Sequence, residues 1–339
     1  MKKLNLIDKL IYLLNGIVAV VLLLAYLLPF VAPKTVSILS VLSLSVPVLL
    51  LLNVCFCLYW LLKVKKQLLL SLVVLLLGYD SLSTLYKFSS VEKNTNTSLS
   101  VMSYNVRLFN IYDWIDTPNI ENEIKQFVET ENADVVAFQE YHPHENFSLA
   151  SYPYKYESLS GGKTKYGQAI FSKYKIINKG EIKFSSTDNK AIYVDVLKEN
   201  DTIRIYNIHF QSLHINPDVK HLSEQNTEHL VKRIGERFEM QQEQAELVLK
   251  HQRECEYKKI ILGDFNNTAY SYIYKQFKND GYSDAFEVSG NGFGKTFDFK
   301  FFPLRIDFIL VDENLGVAQF LNYSHKYSDH YPIKATISW

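Results

Sequence analysis

The sequence predicts a sheet-rich α/β domain that follows a helical membrane segment. Two observations support this: the first 90 residues are almost purely aliphatic, and the rest alternates short apolar runs with two helical stretches. The chain has 339 residues, enough for about two average domains. We therefore expect a membrane anchor over residues 1–90, a polar linker over 91–98 and a soluble domain over 99–339.

Two apolar runs qualify as membrane spans. Leu10–Pro33 and Thr35–Leu62 contain no charged residue, and Lys34 alone separates them. Each run is longer than the roughly 20 residues that span a bilayer. A third run, Gln67–Tyr86, has an apolar core of about a dozen residues before Asp80. We predict that it also spans, the alternative being a re-entrant or interfacial segment. The sequence therefore predicts two to three transmembrane helices, at about 10–33, 35–62 and 67–86.

Lysines indicate the orientation of these helices. Three precede the first helix and three more follow the second, at positions 63, 65 and 66, whereas the loop between the two helices carries only Lys34. The positive-inside rule places the Lys-rich ends in the cytoplasm. With three crossings the soluble domain lies outside the cytoplasm, and with two it lies inside. We expect an integral membrane protein with an extracytoplasmic soluble domain.

Charge is distributed unequally between the two parts. The first 90 residues contain 8 basic and 2 acidic residues. The remainder therefore contains 28 basic and 34 acidic residues, a net charge of −6 in a chain that is neutral overall. This balance argues against a protein that grips duplex nucleic acid mainly through bulk positive charge. Three cysteines, two of them in the apolar part, suggest neither a disulfide framework nor a Cys-based zinc site.

Short apolar runs in the soluble part predict strands, and two longer stretches predict helices. The helices are expected at Asn119–Glu131, after an Asp-Thr-Pro start signal, and at Ser223–Arg253. The alternation predicts an α/β domain whose strand-end loops carry the polar chemistry. The expected strands are Leu99–Tyr104, Val135–Gln139, Gln168–Ser172, Ala191–Leu197, Thr202–His209, Lys259–Leu262, Asp307–Val311 and Ala335–Trp339.

Polar residues stand at the ends or edges of these apolar strands. Taken singly, such residues are most often turn formers, but side chains at the ends of neighbouring strands converge. The set is rich in oxygen donors and contains no thiol, which suits Mg²⁺ or Mn²⁺ and not structural zinc. Its members are Asn105, Glu140, His209, Asp264, Asn266, Asp307, Asp329 and His330.

The strings around these residues resemble the metal-dependent endonuclease/exonuclease/phosphatase (DNase I-like) superfamily. The matching strings are SYN at 103–105, FQE at 138–140, NIH at 207–209, GDFN at 263–266, RIDF at 305–308 and SDH at 328–330. The resemblance covers Leu99 to Trp339 and leaves out the membrane part. It implies a four-layer αββα sandwich of two mixed sheets with outer helices, in which the motifs meet at one end.

Phosphoester hydrolysis, which the resemblance implies, needs the phosphate charge neutralised, a water activated and the leaving oxygen stabilised. Glu140 is expected to bind the metal, with Asn105 beside it and a contribution from Asp329. Asp264 is expected to activate or orient the water, and Asn266 to donate its amide to a phosphoryl oxygen. His209 is expected to donate a hydrogen bond to the scissile phosphate. His330, which Asp307 orients, is expected to act on the water or on the transition state. Whether Asp264 or His330 activates the water is left open.

The sequence therefore predicts a membrane-anchored phosphoester hydrolase that uses Mg²⁺ or Mn²⁺. Its partners would be the lipid bilayer and a phosphoester substrate, namely a nucleic acid, a phospholipid head group or a phosphorylated small molecule, and no feature indicates a protein partner. Tethering to a bilayer modestly favours a lipid or an extracytoplasmic nucleic acid. The alternative is a membrane-tethered binding protein that keeps the fold without turnover.

Overall fold

A computed structural model describes residues 4–88, 97–144, 147–162, 164–185, 187–213, 227–300 and 302–339. Helices form the N-terminal part, and mainly strands form the rest. The helices are α1 Leu6–Ala25, α2 Ser37–Val41, α3 Val46–Leu62, α4 Leu68–Leu77, α5 Tyr79–Leu85, α6 Ile120–Glu131, α7 Thr227–Arg253, α8 Tyr272–Asn279 and α9 Ala285–Ser289, with 3₁₀ turns at Leu28–Phe30 and Leu42–Ser45 among the first of them.

In the described part of the chain, most strands form two six-stranded mixed sheets, ordered β13-β14-β2-β3-β5-β4 and β10-β12-β9-β8-β7-β6. The strands are β1 Lys87–Phe88, β2 Ser98–Asn105, β3 Val135–Tyr141, β4 Tyr154–Ser160, β5 Tyr166–Ser172, β6 Lys175–Lys183, β7 Lys190–Lys198, β8 Asp201–His209, β9 Lys258–Asp264, β10 Tyr282–Asp284, β11 Asn291–Gly292, β12 Asp307–Asp312, β13 Gly316–Asn322 and β14 Ile333–Ser338.

The two sheets pack face to face around an aliphatic core. Val101, Ile192 and Ile260 are fully buried members of this core, and every second residue of their strands points into it, as the period of a strand requires. The outer face of the first sheet is covered by α6 through Ile124, and that of the second by α7 through Val248. The predicted αββα sandwich is confirmed.

Each sheet contains one parallel pair of strands that determines where the polar motifs meet. β2 runs parallel to β3, and β8 runs parallel to β9. The carboxyl ends of parallel neighbours lie at the same edge of a sheet, so the residues that follow them are brought together. The same end of the sandwich therefore receives polar side chains from both sheets.

The third apolar run departs from the prediction of one spanning helix, because the chain bends by 80° between α4 and α5. Gly78 lies at the bend, where an added Cβ would fall 2.0 Å from the Tyr26 ring. Two stretches, Leu6–Phe30 and Ser37–Leu62, are long and apolar enough to cross a bilayer, and the bent pair could count as a third crossing.

Polar contacts join the N-terminal helices near the end of α3 and the start of α4. The buried Asn15 side chain donates to Ser71 Oγ at 2.7 Å and accepts from the Trp60 indole at 3.1 Å. These bonds connect α1, α3 and α4, as is common where polar side chains lie between apolar helices. At the Lys-rich end, Asp8 of α1 pairs with Lys63 at 2.5 Å.

The opposite end of these helices contacts the sandwich. Lys34, in the loop between α1 and α2, pairs with Glu246 of α7 at 2.7 Å. Thr84 of α5 donates to Glu287 of α9 at 2.9 Å. The sandwich therefore lies at the end of the helical segment that is opposite Lys63.

Candidate active site

Three of the predicted site residues lie side by side in one sheet. The parallel register of β8 and β9 places His209 beside Asp264. β12 runs antiparallel to β9 and places Asp307 opposite the same Asp264. The convergence of these three residues therefore follows from strand pairing alone.

The facing sheet supplies Asn105 and Glu140. Asn105 is the last residue of β2 and is in register with Gln139 of β3. Glu140 has a left-handed backbone, with φ at 49°, at a bulge between Phe138 and Tyr141. Bulges redirect side chains and are common beside active sites. The sequence predicted that this strand ends at Gln139, but it runs to Tyr141, and Glu140 lies within it at the bulge.

His330 comes from the loop between β13 and β14. Its Nδ1 lies 2.9 Å from Oδ2 of Asp307, and its Nε2 lies 3.7 Å from Oδ2 of Asp264. The Ser328 hydroxyl accepts the backbone N–H of His330 at 3.2 Å and donates to the Asn105 carbonyl at 2.8 Å. Asp307 thus fixes the orientation of the ring, and Ser328 attaches its loop to β2.

Asn105 and His209 connect the two sheets across the site. The Asn105 amide nitrogen donates to Oε1 of Glu140 at 3.3 Å and to Oδ2 of Asp264 at 3.0 Å. Nε2 of His209 lies 3.8 Å from the same two carboxylate oxygens. Residues from both sheets and from one loop therefore form a single cluster of polar side chains.

The GDFN string forms the turn that orients Asp264. Gly263 has φ at 134°, and an added Cβ would lie 2.1 Å from the Ile208 carbonyl, so only glycine fits. Asn266 donates to Asp264 through its backbone N–H at 2.7 Å and through its side-chain amide at 3.2 Å. The same amide donates to the Phe210 carbonyl at 3.0 Å. Donation from Asn266 to a phosphoryl oxygen stays a prediction.

Asp329 lines the cleft and is paired with Arg107, whose Nη1 lies 3.2 Å from its Oδ2. The Arg107 guanidinium stacks on the ring of Trp114, 4.4 Å from its centroid. Sequence analysis missed Arg107 and Trp114, although Arg107 comes only two residues after Asn105. Four consecutive residues, 107–110, have left-handed backbones, which normally cost about 1–2 kcal/mol each. The predicted metal contact of Asp329 stays a prediction.

A buried amide network joins the two sheets directly beneath the site. The Gln139 amide donates to Oδ1 of Asn207 at 2.7 Å, and Asn207 donates to the Phe138 carbonyl at 2.9 Å. Gln168 donates to the Asn207 carbonyl at 3.0 Å. Buried polar groups are costly unless they are bonded, so this network holds the sheets in one relative position.

Burial and charge determine the protonation of the cluster. Burial raises the pKa of Glu140, and burial together with the Asp307 charge raises the pKa of Asp264. Burial alone would lower the pKa of His330, but the charges of Asp307 and Asp264 outweigh it and hold this pKa well above its usual value. Burial lowers the pKa of His209 to about 4, so this ring is neutral at pH 7.

The donor set fits a hard divalent cation. Burial raises the pKa of Glu140 despite the nearby His330 and Arg107, and a bound cation would favour its charged form. Asp264, Asp307 and His330 also offer donor atoms that lie within 4.8 Å of one another. Two of these, Asp307 and the His330 ring, are already bonded to each other. Oxygen donors are what Mg²⁺ and Mn²⁺ prefer, so Glu140 is the best-suited ligand.

The cluster opens into a cleft of about 720 Å³. Its charged lining includes Glu140, Asp264 and His330, together with Arg107, Asp298, Lys326 and Asp329. Phe297, which packs edge-on against the His330 ring at 5.0 Å, supplies part of its apolar lining. Leu44, from the turn between α2 and α3, also lines this cleft. Nothing in the sequence indicates that the N-terminal segment reaches the site.

Two family models match different parts of the chain. A model described as the endonuclease/exonuclease/phosphatase family matches residues 102–330, and a model described as a domain of unknown function (DUF8431) matches residues 8–85. No curated protein sequence matches significantly.

Solved structures share the fold of the sandwich. The human Nocturnin catalytic domain with bound sulfate has a TM-score of 0.57 at 16% identity, covering 76% of this chain and 97% of that one. An endonuclease/exonuclease/phosphatase from Bacteroides vulgatus has a TM-score of 0.55 at 20% identity, covering 72% and 99%. One from Bacteroides thetaiotaomicron has a TM-score of 0.52 at 21% identity, covering 71% and 97%.

At these identities the structural likeness establishes the fold alone. The family model, however, covers more than half of the chain and includes Glu140, His209 and Asp264 as well as His330 at its end. Members of that family hydrolyse phosphoester bonds with the help of divalent metal ions. The chain belongs to the endonuclease/exonuclease/phosphatase family.

Proposed function

We propose that this protein is a membrane-anchored, divalent-metal-dependent phosphoester hydrolase of the phosphodiesterase or nuclease type. The observation that carries the proposal is the single cluster in which Glu140, Asp264 and His330 line one cleft, with Asp307 behind the histidine. Such an arrangement of carboxylates and an oriented imidazole suits phosphoryl transfer to water. The shared activity of the family supports the same conclusion.

A division of labour follows from the protonation states of the cluster. When bound at Glu140, a Mg²⁺ or Mn²⁺ ion would neutralise phosphoryl charge and lower the pKa of a coordinated water. Asp264, with its raised pKa, is suited to accept a proton near neutral pH. His330, with its pKa held above the usual value, is suited to stabilise the negative charge that develops on the phosphoryl oxygens. The neutral His209 ring would donate a hydrogen bond to the phosphate.

The arrangement of the helices supports anchoring in a membrane with the active site outside the cytoplasm. Leu6–Phe30 and Ser37–Leu62 are long and apolar enough to cross a bilayer. Their Lys-rich end, marked by the pair of Asp8 and Lys63, is opposite the end that contacts the sandwich through Lys34. The positive-inside rule then assigns the sandwich to the extracytoplasmic side. The bent pair α4–α5 returns the chain to that side.

Hydrolysis of bis-p-nitrophenyl phosphate by the full-length protein in detergent micelles tests the activity. We expect turnover with Mg²⁺ or Mn²⁺, none after chelation, and a loss of about 10²–10⁴-fold in Glu140→Gln and His330→Ala. Asn314→Ala, at an exposed turn, is the matched control and should retain wild-type turnover. A folded wild-type protein that hydrolyses neither this diester nor RNA, DNA or phospholipid would refute the proposal.

A further inference from the structure

The active-site cleft has an apolar side that hydrolysis itself does not require. Besides the charged residues, the cleft is lined by Leu44, Leu213, Phe297, Leu304 and Ile306. The reaction needs charge, hydrogen bonds and positioned water, none of which an aliphatic wall provides. Apolar lining with a few convergent polar groups is typical of sites that bury the non-reacting part of a ligand.

One of these wall residues comes from the apolar N-terminal segment. Leu44 lies in the 3₁₀ turn Leu42–Ser45, between α2 and α3. Leu44 and Val41 pack against the apolar cluster under α7 that includes Phe238 and Phe265. The segment that is long enough to cross a bilayer, Ser37–Leu62, therefore also supplies part of the active-site wall.

Residues of the same segment that face away from the sandwich are apolar and exposed. Ile38 is 59% exposed and Leu39 is 45% exposed, and Val36, just before α2, is 42% exposed. Exposed apolar side chains in a group mark a surface that another apolar phase covers. If the two bilayer-length helices cross a membrane as proposed, that phase would be the outer part of the lipid layer. The turn with Leu44 would then lie between lipid and the catalytic residues.

We propose that the substrate is a phosphoester carrying a long hydrocarbon chain, which stays inserted in the bilayer while its phosphate enters the cleft past Leu44. This inference rests on the proposed hydrolase activity and adds the substrate class. The proximal methylene groups of the chain would lie along Leu44, Leu304 and Ile306, and each buried methylene strengthens binding by about fourfold. The net charge of −6 after residue 90 is consistent with a substrate other than a long polyanion.

The test compares two substrates of the full-length protein reconstituted in vesicles. One is soluble bis-p-nitrophenyl phosphate. The other is supplied in the vesicle membrane, either as a diacyl phospholipid or as a polyprenyl phosphate, in separate arms that identify the source of the chain. We expect wild-type kcat/KM to be at least about tenfold higher for one of the membrane substrates, and to rise with chain length in a series of short-chain analogues.

Leu44→Gln removes the apolar surface while keeping side-chain length. We expect the ratio of kcat/KM for the membrane substrate to that for the soluble diester to fall about tenfold, because a buried aliphatic contact is worth that order of affinity. Leu44→Met, which conserves volume and polarity, should retain the ratio. Leu62→Gln is the matched control, since Leu62 is 85% exposed at the far end of α3, and it should also retain the ratio.

The outcomes separate the two proposals. Turnover of the soluble diester without turnover of any membrane substrate would overturn the substrate class and leave the hydrolase intact. If Leu44→Gln left the ratio of kcat/KM for the membrane substrate to that for the soluble diester unchanged, the proposal that the hydrocarbon chain passes Leu44 would be overturned. A wild-type protein that is inactive on every substrate with Mg²⁺ and Mn²⁺ would overturn both proposals together.

Discussion

If Glu140 binds the metal as proposed, protons and metal ions would compete for its carboxylate. Burial raises the pKa of this group, so the metal-free side chain retains a proton at a higher pH than an exposed glutamate does. At a pH low enough for that proton to be retained, binding of a cation must displace it. The apparent metal affinity should therefore weaken as the pH falls, and binding should release protons.

Calorimetric titration with Mn²⁺ in two buffers of different ionisation enthalpy measures the released protons directly. We expect the wild-type heat of binding to depend on the buffer, and this dependence to be smaller in Glu140→Gln, in which Asp264 is the remaining carboxylate with a raised pKa. A wild-type heat that is the same in both buffers, with binding intact, would contradict the assignment of Glu140 as the ligand.

Asp307→Asn tests the pairing with His330. The change keeps the size and hydrogen-bonding ability of the side chain but removes the charge that raises the pKa of His330. We expect a folded protein whose kcat falls by roughly 10³–10⁴-fold, as in comparable carboxylate–imidazole pairs. Because the histidine then loses its proton at lower pH, the alkaline limb of the residual pH–rate profile should also move to lower pH.

Asp312→Asn, at the other end of the same strand, is the control and should change neither kcat nor the pH profile. Equal thermal midpoints for the two variants would show that the loss of activity is not a loss of fold. If Asp307→Asn turned over substrate at the wild-type rate, the pairing would have no catalytic role.

At the scale of elements, the sequence predicts strands well where they are buried and poorly at sheet edges. The central strands β3 and β9 are continuous apolar runs, which is the pattern of strands covered on both faces. β4 and β6, whose sequences are YKYESLS and KIINKGEIK, are edge strands with polar, half-exposed residues. Edge strands carry charged residues that prevent association with other chains. Because of these residues they lack the apolar runs from which strands are predicted.

The residues of the candidate site also divide into those that the strand pattern predicts and those that it does not. Asn105, His209 and Asp264 stand at the ends of apolar strands, so their positions can be predicted from the strand pattern and pairing. Arg107 depends on a left-handed turn, and Leu44 depends on how the N-terminal segment packs against the sandwich. Neither feature has a local sequence signature, since both are decided by tertiary contacts.

The amide network between the sheets predicts a stability effect separate from catalysis. Asn207→Ala would remove the shorter hydrogen bond of the buried Gln139 amide, which keeps only its 3.2 Å bond to Ser103, and would remove the amide that donates to the Phe138 carbonyl. We expect the free energy of unfolding to fall by about 1–3 kcal/mol, which is the cost of leaving one buried polar group unsatisfied. Thermal unfolding monitored by circular dichroism measures this loss as a lower midpoint.

Asn314→Ala removes a hydrogen bond of the same type at an exposed turn and should change the midpoint little. A midpoint for Asn207→Ala equal to that of this control would mean that the network contributes nothing to holding the sheets together.

For the whole molecule, topology decides which substrates the active site can meet. A reporter fused after Trp339 tests the proposed orientation: alkaline phosphatase should be active there, and green fluorescent protein should be dark. A fusion after Lys66, at the Lys-rich end of the helices, should give the opposite pattern and serves as the control. Fluorescence at Trp339 together with an inactive phosphatase would place the catalytic domain in the cytoplasm.

The pairing of β2 with β14 has a consequence for biosynthesis. β2 is the first strand of the sandwich to be synthesised, yet it lies in the interior of its sheet, where Leu99 is in register with Ile337 of β14. The sheet cannot close until Ile337 has left the ribosome, so in the proposed topology the sandwich would emerge as an unfolded chain behind helices that have already inserted. A chain held open in this way would be competent for threading through a translocon, and in that topology its folding would begin on the far side of the membrane.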